Sequence, residues 1–170
     1  ATLAGAVSVA NGAGLNFAIG GASDYTLAEV LAIRAGTTTL PGLTLGATSA
    51  VGVNTANASA AIVHADVIAD GAVTGFAKSG AGTLVLLLAG GSSYDETLVL
   101  GGTFIANAQG LGQKQVFIGD NGTFAILQNN SGTLSANLAG SAGSTLKLKS
   151  MGLLGGGGGQ TKLFRASSTT

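Results

Sequence analysis

The chain predicts an all-β protein assembled from many short strands. Three observations carry this. Apolar residues alternate or cluster in runs of three to six. Gly, Asn and Asp corners separate those runs. Charged residues make up only 8% of the 170 residues, against about a quarter in typical globular domains. Two architectures meet that pattern. In a β-sandwich, turns such as Asp120-Asn121-Gly122 join antiparallel strands. In a solenoid, the same residues bend the chain at each corner, using left-handed conformations open to Gly and tolerated by Asn.

Taken in order, Leu3, Val7 and Val9 alternate with smaller residues, as a strand requires, and Asn11-Gly12 turns the chain. Leu15 to Ile19 alternates again and stops at Gly20-Gly21. Residues Ser23 to Gly36 form the single helix candidate. Ser23 or Asp24 would be the N-cap, Leu27, Val30 and Leu31 share a face, Arg34 sits in the last turn, and Gly36 closes it.

Thr37 to Val53 carries short Leu/Val strands broken by Pro41-Gly42 and Gly46, and Ala60 to Ile68 is a further β-run ending at Asp70-Gly71. Next come Gly82 to Leu86 and a second run from Thr97 to Phe104. Gln115 to Ile118, Thr123 to Leu127, Thr133-Leu134 and Ser144 to Leu148 complete the strands. An internal echo links Gly12-Ala13-Gly14-Leu15, Gly20-Gly21, Ser23 and Tyr25 to Gly80-Ala81-Gly82-Thr83-Leu84, Gly90-Gly91, Ser93 and Tyr94. Its offset of roughly 70 residues equals about three solenoid turns.

Residues 1–150 read as one β-rich domain. Five consecutive glycines mark 151–160 as a flexible joint, because such a run packs nothing. Residues 161–170 then form a tail or a docking strand.

Composition excludes several classes. With 46% apolar residues and no net charge, whole-chain disorder is not expected. The 30 glycines lack the three-residue period of collagen. Lys147, Lys149, Lys162 and Arg165 form only a loose basic cluster, so no nucleic-acid partner is expected. Cysteine is absent, and with it disulfides and thiolate metal sites. The longest apolar stretch, Leu84 to Ala89, is far too short to cross a bilayer as a helix. Ala1 is compatible with a start left by signal removal. Neutrality removes the repulsion that keeps many proteins apart, so self-association is expected.

The stretch Ser79 to Gly112 narrows the choice of fold. Gly80-Ala81-Gly82-Thr83-Leu84-Val85-Leu86, Tyr94, Gly102-Thr103-Phe104 and the closing Gly110-Leu111-Gly112 resemble the passenger-associated strand repeat of bacterial autotransporters and related surface proteins. The likeness covers about a fifth of the chain. Asp95-Glu96 stand where that family usually has Thr or Gly, and Gly90-Gly91 replace a more common Gly-Ala-Asn. The resemblance implies a right-handed parallel β-helix, exported and displayed outside the cell. Roughly seven rungs ~4.8 Å apart would make a stub about 30 Å tall.

No residue set is expected to form a catalytic, cofactor or metal site. His64-Ala65-Asp66 places two polar side chains on one strand face, but no nucleophile elbow accompanies them, and a packing or surface histidine is the expected role. The acids Asp66, Asp70, Asp95, Glu96 and Asp120 are scattered, unlike the paired carboxylates of glycoside hydrolysis. Neither Asp95-Glu96 nor Asp120-Asn121-Gly122 belongs to a calcium-binding repeat, and turn chemistry accounts for the latter. Gly80-Ala81-Gly82 lacks the Lys-Ser/Thr of a phosphate-binding loop.

The expectation is a non-enzymatic structural protein, secreted or on the bacterial cell surface, whose partners are other copies of itself. The alternative is an autotransporter passenger fragment that binds host or neighbouring-cell surfaces. No cofactor is expected.

Overall fold

The computed structural model describes residues 5–88, 90–128, 136–150 and 162–164. Its strands are β1 (Val7–Val9), β2 (Gly14–Ala18), β3 (Leu43–Leu45), β4 (Ala50–Asn54), β5 (Ile62–His64), β6 (Gly75–Ser79) and β7 (Thr83–Leu86). They continue with β8 (Glu96–Val99), β9 (Gly102–Ala106), β10 (Gln115–Ile118), β11 (Gly122–Gln128), β12 (Asn137–Gly140), β13 (Thr145–Ser150) and β14 (Lys162–Phe164). One helix, α1 (Leu27–Ala35), interrupts the series.

The strands stack as a parallel β-solenoid. One six-stranded sheet runs β12-β10-β8-β6-β4-β2, and a second runs β14-β13-β11-β9-β7-β5. β1 and β3 pair parallel as a short third ladder. From β4 to β13 even-numbered strands lie in one sheet and odd-numbered strands in the other, so each of these coils contributes one strand to each. Gly14 lies beside Ala50, Ala50 beside Gly75, Gly75 beside Glu96, Glu96 beside Gln115, and Gln115 beside Asn137. After a long first coil that accommodates α1, the step settles at about 20–25 residues. Among the described residues the first sheet has six rungs, against roughly seven expected.

Alternation along the strands builds the interior. In the second sheet Leu84, Phe104 and Phe124 stack in one buried column, with the Phe104 and Phe124 rings 5.7 Å apart. In the first sheet Val51, Phe76, Thr97 and Val116 form one inward column, and Phe17, Val53, Lys78, Val99 and Ile118 form the next. Such parallel stacking places like residues over like, and the apolar ones gain roughly 25 cal/mol per Å² of surface removed from water.

Several expectations need correction. The run Thr97 to Phe104 is two strands, not one. The chain bends at Leu100-Gly101, and Gly102, with φ 64°, starts β9 in the other sheet. The 70-residue echo does not mark equivalent positions, since Leu15 belongs to the first sheet and Leu84 to the second. What the two segments share is a left-handed corner, Gly12 and Gly80 both having φ 76°. Of Ala60 to Ile68 only Ile62–His64 is strand, and β6 and β12 are strands that the pattern did not single out.

The helix N-cap is Thr26 rather than Ser23 or Asp24. A Thr26–Glu29 capping box satisfies the first turn, which fixes the start: Glu29 N–H donates to Thr26 Oγ1, and Thr26 N–H donates to the Glu29 carboxylate. Asp24 instead accepts from Gly21 N–H and Asn57 Nδ2. Gly36 closes the helix in the left-handed conformation, as expected.

Lys162–Phe164, within the segment read as a tail or docking strand, pairs antiparallel with β13 of the same chain. Residues 151–160, read as a flexible joint, and Thr133-Leu134, read as a strand, lie outside the described residues.

Candidate functional site: buried cations, open sheet edges and an uncharged face

Two cations are sunk into the body with no carboxylate in ion-pair contact among the described residues. Lys78 follows Phe76 by two residues on β6, so the strand period turns it inward, and its side chain is fully buried. Its Nζ donates to the carbonyls of Gly80 at 2.6 Å, Gly82 at 2.7 Å and Gly101 at 2.7 Å. Gly80 and Gly82 flank the corner between β6 and β7, and Gly101 lies at the equivalent corner one coil later. One ammonium therefore ties two successive coils.

Burial pushes the Lys78 ammonium down to about 8, while three carbonyl acceptors favour the charged form. The cage also explains Gly102. A Cβ at that position would approach the Gly80 carbonyl and stand 2.6 Å from the Lys78 ammonium.

Arg34 does the same for the helix. Its guanidinium donates from Nε to Gly75 O at 3.2 Å, from Nη1 to Ala69 O at 2.5 Å and from Nη2 to Val73 O at 3.1 Å. It also lies 5.1 Å from the centre of the Tyr94 ring. Burial lowers its affinity for the proton, with Tyr94 and Asp70 opposing. The fully buried Tyr94 hydroxyl donates to Gly110 O at 2.8 Å and lies 3.0 Å from Thr97 Oγ1. Burial pushes that phenol up to about 12. The fork geometry of Arg suits three carbonyls that converge from the segment before β6 and from its first residue.

Strand period could have flagged Lys78, two residues from Phe76. Helical period could have flagged Arg34, four residues from Val30. Burial of either runs against expectation, because charged residues are seldom fully buried.

The acids and the histidine stay apart. His64 ends β5 and lies beside Leu86, in line with the inward column, and its Nε2 is buried without a hydrogen-bond partner. Asp66 lies beyond the strand end, so the two do not share a strand face as expected. Asp95 pairs with Lys114 of the next coil at 2.7 Å, and this raises the Lys114 pKa. Asp120 and Asn121 form the turn before β11. Among the described residues, no three His, Cys, Asp or Glu side chains gather as a metal site would need. No helix among them is long and apolar enough to cross a membrane.

Two surface features remain. On the outside of the second sheet Thr83, Thr103, Thr123 and Thr145 stand in register, one per coil. Beside them runs the column Val63, Val85, Ile105 and Ala125, in which Val63 is 64% exposed. Charge enters that column only with Lys147. The second feature is the first sheet itself, which ends in β2 on one side and β12 on the other, with no described strand beyond either.

Comparison with protein-family models, with curated protein sequences and with solved structures returned no match.

Proposed function

We propose that the chain is an exported structural protein, a self-associating subunit of an extracellular fibre or surface scaffold. The observation that carries this reading is the parallel sheet whose terminal strands β2 and β12 have no described strand beyond them, Tyr25 alone covering the Ala18–Ile19 end of β2. Edge strands present unpaired N–H and C=O groups, and strand addition satisfies them with a main-chain ladder. The interior supports the same reading. Its buried cations are engaged by corner carbonyls, which braces coil against coil. Export and display are proposed from the resemblance of Ser79 to Gly112 to the autotransporter passenger repeat.

Sedimentation velocity and negative-stain microscopy over a concentration series test it. Rods or a mass that grows with concentration are expected. Dispersed monomers at every concentration refute it.

A second reading, an autotransporter passenger that engages host or neighbouring-cell surfaces, draws on the uncharged Thr and Val/Ile face of the second sheet. Retention of the purified protein on intact cells, lost when Val85 and Ile105 are both changed to Lys, is its expected signature. Equal retention of that variant removes the support.

A further inference from the structure

We infer that copies of this chain stack head to tail through the first sheet, β12 of one copy pairing parallel with β2 of the next. This rests on the structural reading above and names its interface. Three independent observations converge on it.

The first is the ladder. The strand that would follow β12 stands to β12 as β12 stands to β10, and a parallel strand at the other end of the same sheet has that geometry. β2 is such a strand, open from Gly14 to Phe17, its Ala18 carbonyl being taken by Tyr25 N–H. The second sheet cannot offer the same join, because antiparallel β14 covers β13.

The second is the core column. Leu15, Val51, Phe76, Thr97, Val116 and Leu138 lie one above another. The four middle members are fully buried, whereas Leu138 at the end of the row is 41% exposed. Leu15 at the other end is half-buried. In-register stacking sets Leu15 of one copy over Leu138 of its neighbour and continues the row.

The third is charge. In a solenoid, order along the chain is order along the axis. Up to residue 70 the acids are Asp24, Glu29, Asp66 and Asp70, and the one cation, Arg34, is buried. After residue 120 the charges on described residues are Lys147, Lys149 and Lys162, with no acid among them. The neutral chain is thus an acidic pole followed by a basic one. Opposite poles attract when copies stack head to tail and repel when like ends meet. Such a heterologous join does not close on itself and yields an open filament.

Cysteine trapping tests the join directly, since the native chain has no cysteine. Gly14 and Asn137 are exposed and occupy the same register column at opposite ends of the sheet. A Cβ at Gly14 meets nothing nearer than the Ala50 carbonyl at 3.8 Å, so Gly14→Cys is accommodated. Within one chain the two sites are separated by five strand spacings, about 24 Å, beyond disulfide reach. Across the proposed join they are neighbours at ~4.8 Å, inside the disulfide range.

Mild oxidation of the Gly14→Cys/Asn137→Cys protein is expected to give a reducible ladder of dimers, trimers and higher species on denaturing gels. Each single variant stays monomeric, and an equimolar mixture of the two stops at dimers. Raising salt from 20 mM to 0.5 M is expected to cut the yield severalfold, as is Lys147→Glu/Lys149→Glu at low salt. Circular dichroism and melting temperature confirm that each variant is folded.

Self-cross-linking of a single variant, or a yield indifferent to salt and to charge reversal, overturns the inference. Assembly seen in sedimentation without cross-linking of the double variant overturns this interface and leaves the fibre reading standing. Monomers throughout, in the native protein as well, overturn both.

Discussion

Replacing Lys78 by Met tests whether a lone buried cation stabilises this fold. Two effects oppose each other. A fall in the ammonium pKa from 10.5 to about 8 corresponds to ~3 kcal/mol against burying the charge, and Met removes that cost. Met also takes a donor from the carbonyls of Gly80, Gly82 and Gly101, of which Gly82 keeps the Thr103 N–H and Gly101 is buried. Each buried unsatisfied group costs about 1–3 kcal/mol. Leaving the Gly80 and Gly101 carbonyls without a donor slightly outweighs relieving one charge, so Lys78→Met is expected to destabilise the fold by roughly 1–2 kcal/mol. In a chain of this size that lowers the melting temperature by about 2–8 °C.

Urea and thermal unfolding followed by far-UV circular dichroism at pH 7 measure the effect. A Met variant as stable as the native protein would refute the reasoning. The pH dependence supplies a second readout. Between about 8 and 10.5 the unfolded chain holds the Lys78 proton and the folded chain has released it, so stability rises with pH. Above 10 the unfolded chain loses the Tyr94 proton that the folded chain keeps to about 12, so stability falls. The native protein should therefore show its alkaline maximum near pH 10, and Lys78→Met should lose the rise and keep the fall.

Three further outcomes follow from the packing. Thr26→Ala removes the helix cap and is expected to cost about 1 kcal/mol in urea unfolding at pH 7. Its hydrogen bonds to Thr26 hold the Glu29 carboxyl below its ordinary value of 4.5, so the cap weakens as pH falls through that range and the variant's deficit shrinks in acid. Phe104→Ala opens the buried column between Leu84 and Phe124 and should cost about 3–5 kcal/mol by the same assay. Leu163→Pro, placed opposite Lys147, takes a backbone donor from β14 and bares the β13 edge. Light scattering during heating should then rise at a lower temperature than in the native protein, and an unchanged onset refutes the capping role of β14.

Sequence alone determined the class of building block. Short apolar runs between Gly and Asn corners are local features, and a left-handed corner or a period-two strand is specified by the residues that form it. The helix is legible for the same reason, its N-cap being Thr26 and not Ser23 or Asp24. Ser23 and Asp24 have good cap chemistry, but the reciprocal hydrogen bonds of Thr26 and Glu29 decide between them. Tertiary structure decided what depends on coil length. Leu15 and Leu84 follow similar glycine corners, yet one enters the first sheet and the other the second, because the number of residues per coil sets which face a strand reaches. It also decided the fate of Lys78 and Arg34. Whether a cation is solvated or caged depends on carbonyls from neighbouring coils, Gly101 for one and Ala69 and Val73 for the other, and no local pattern brings those oxygens together.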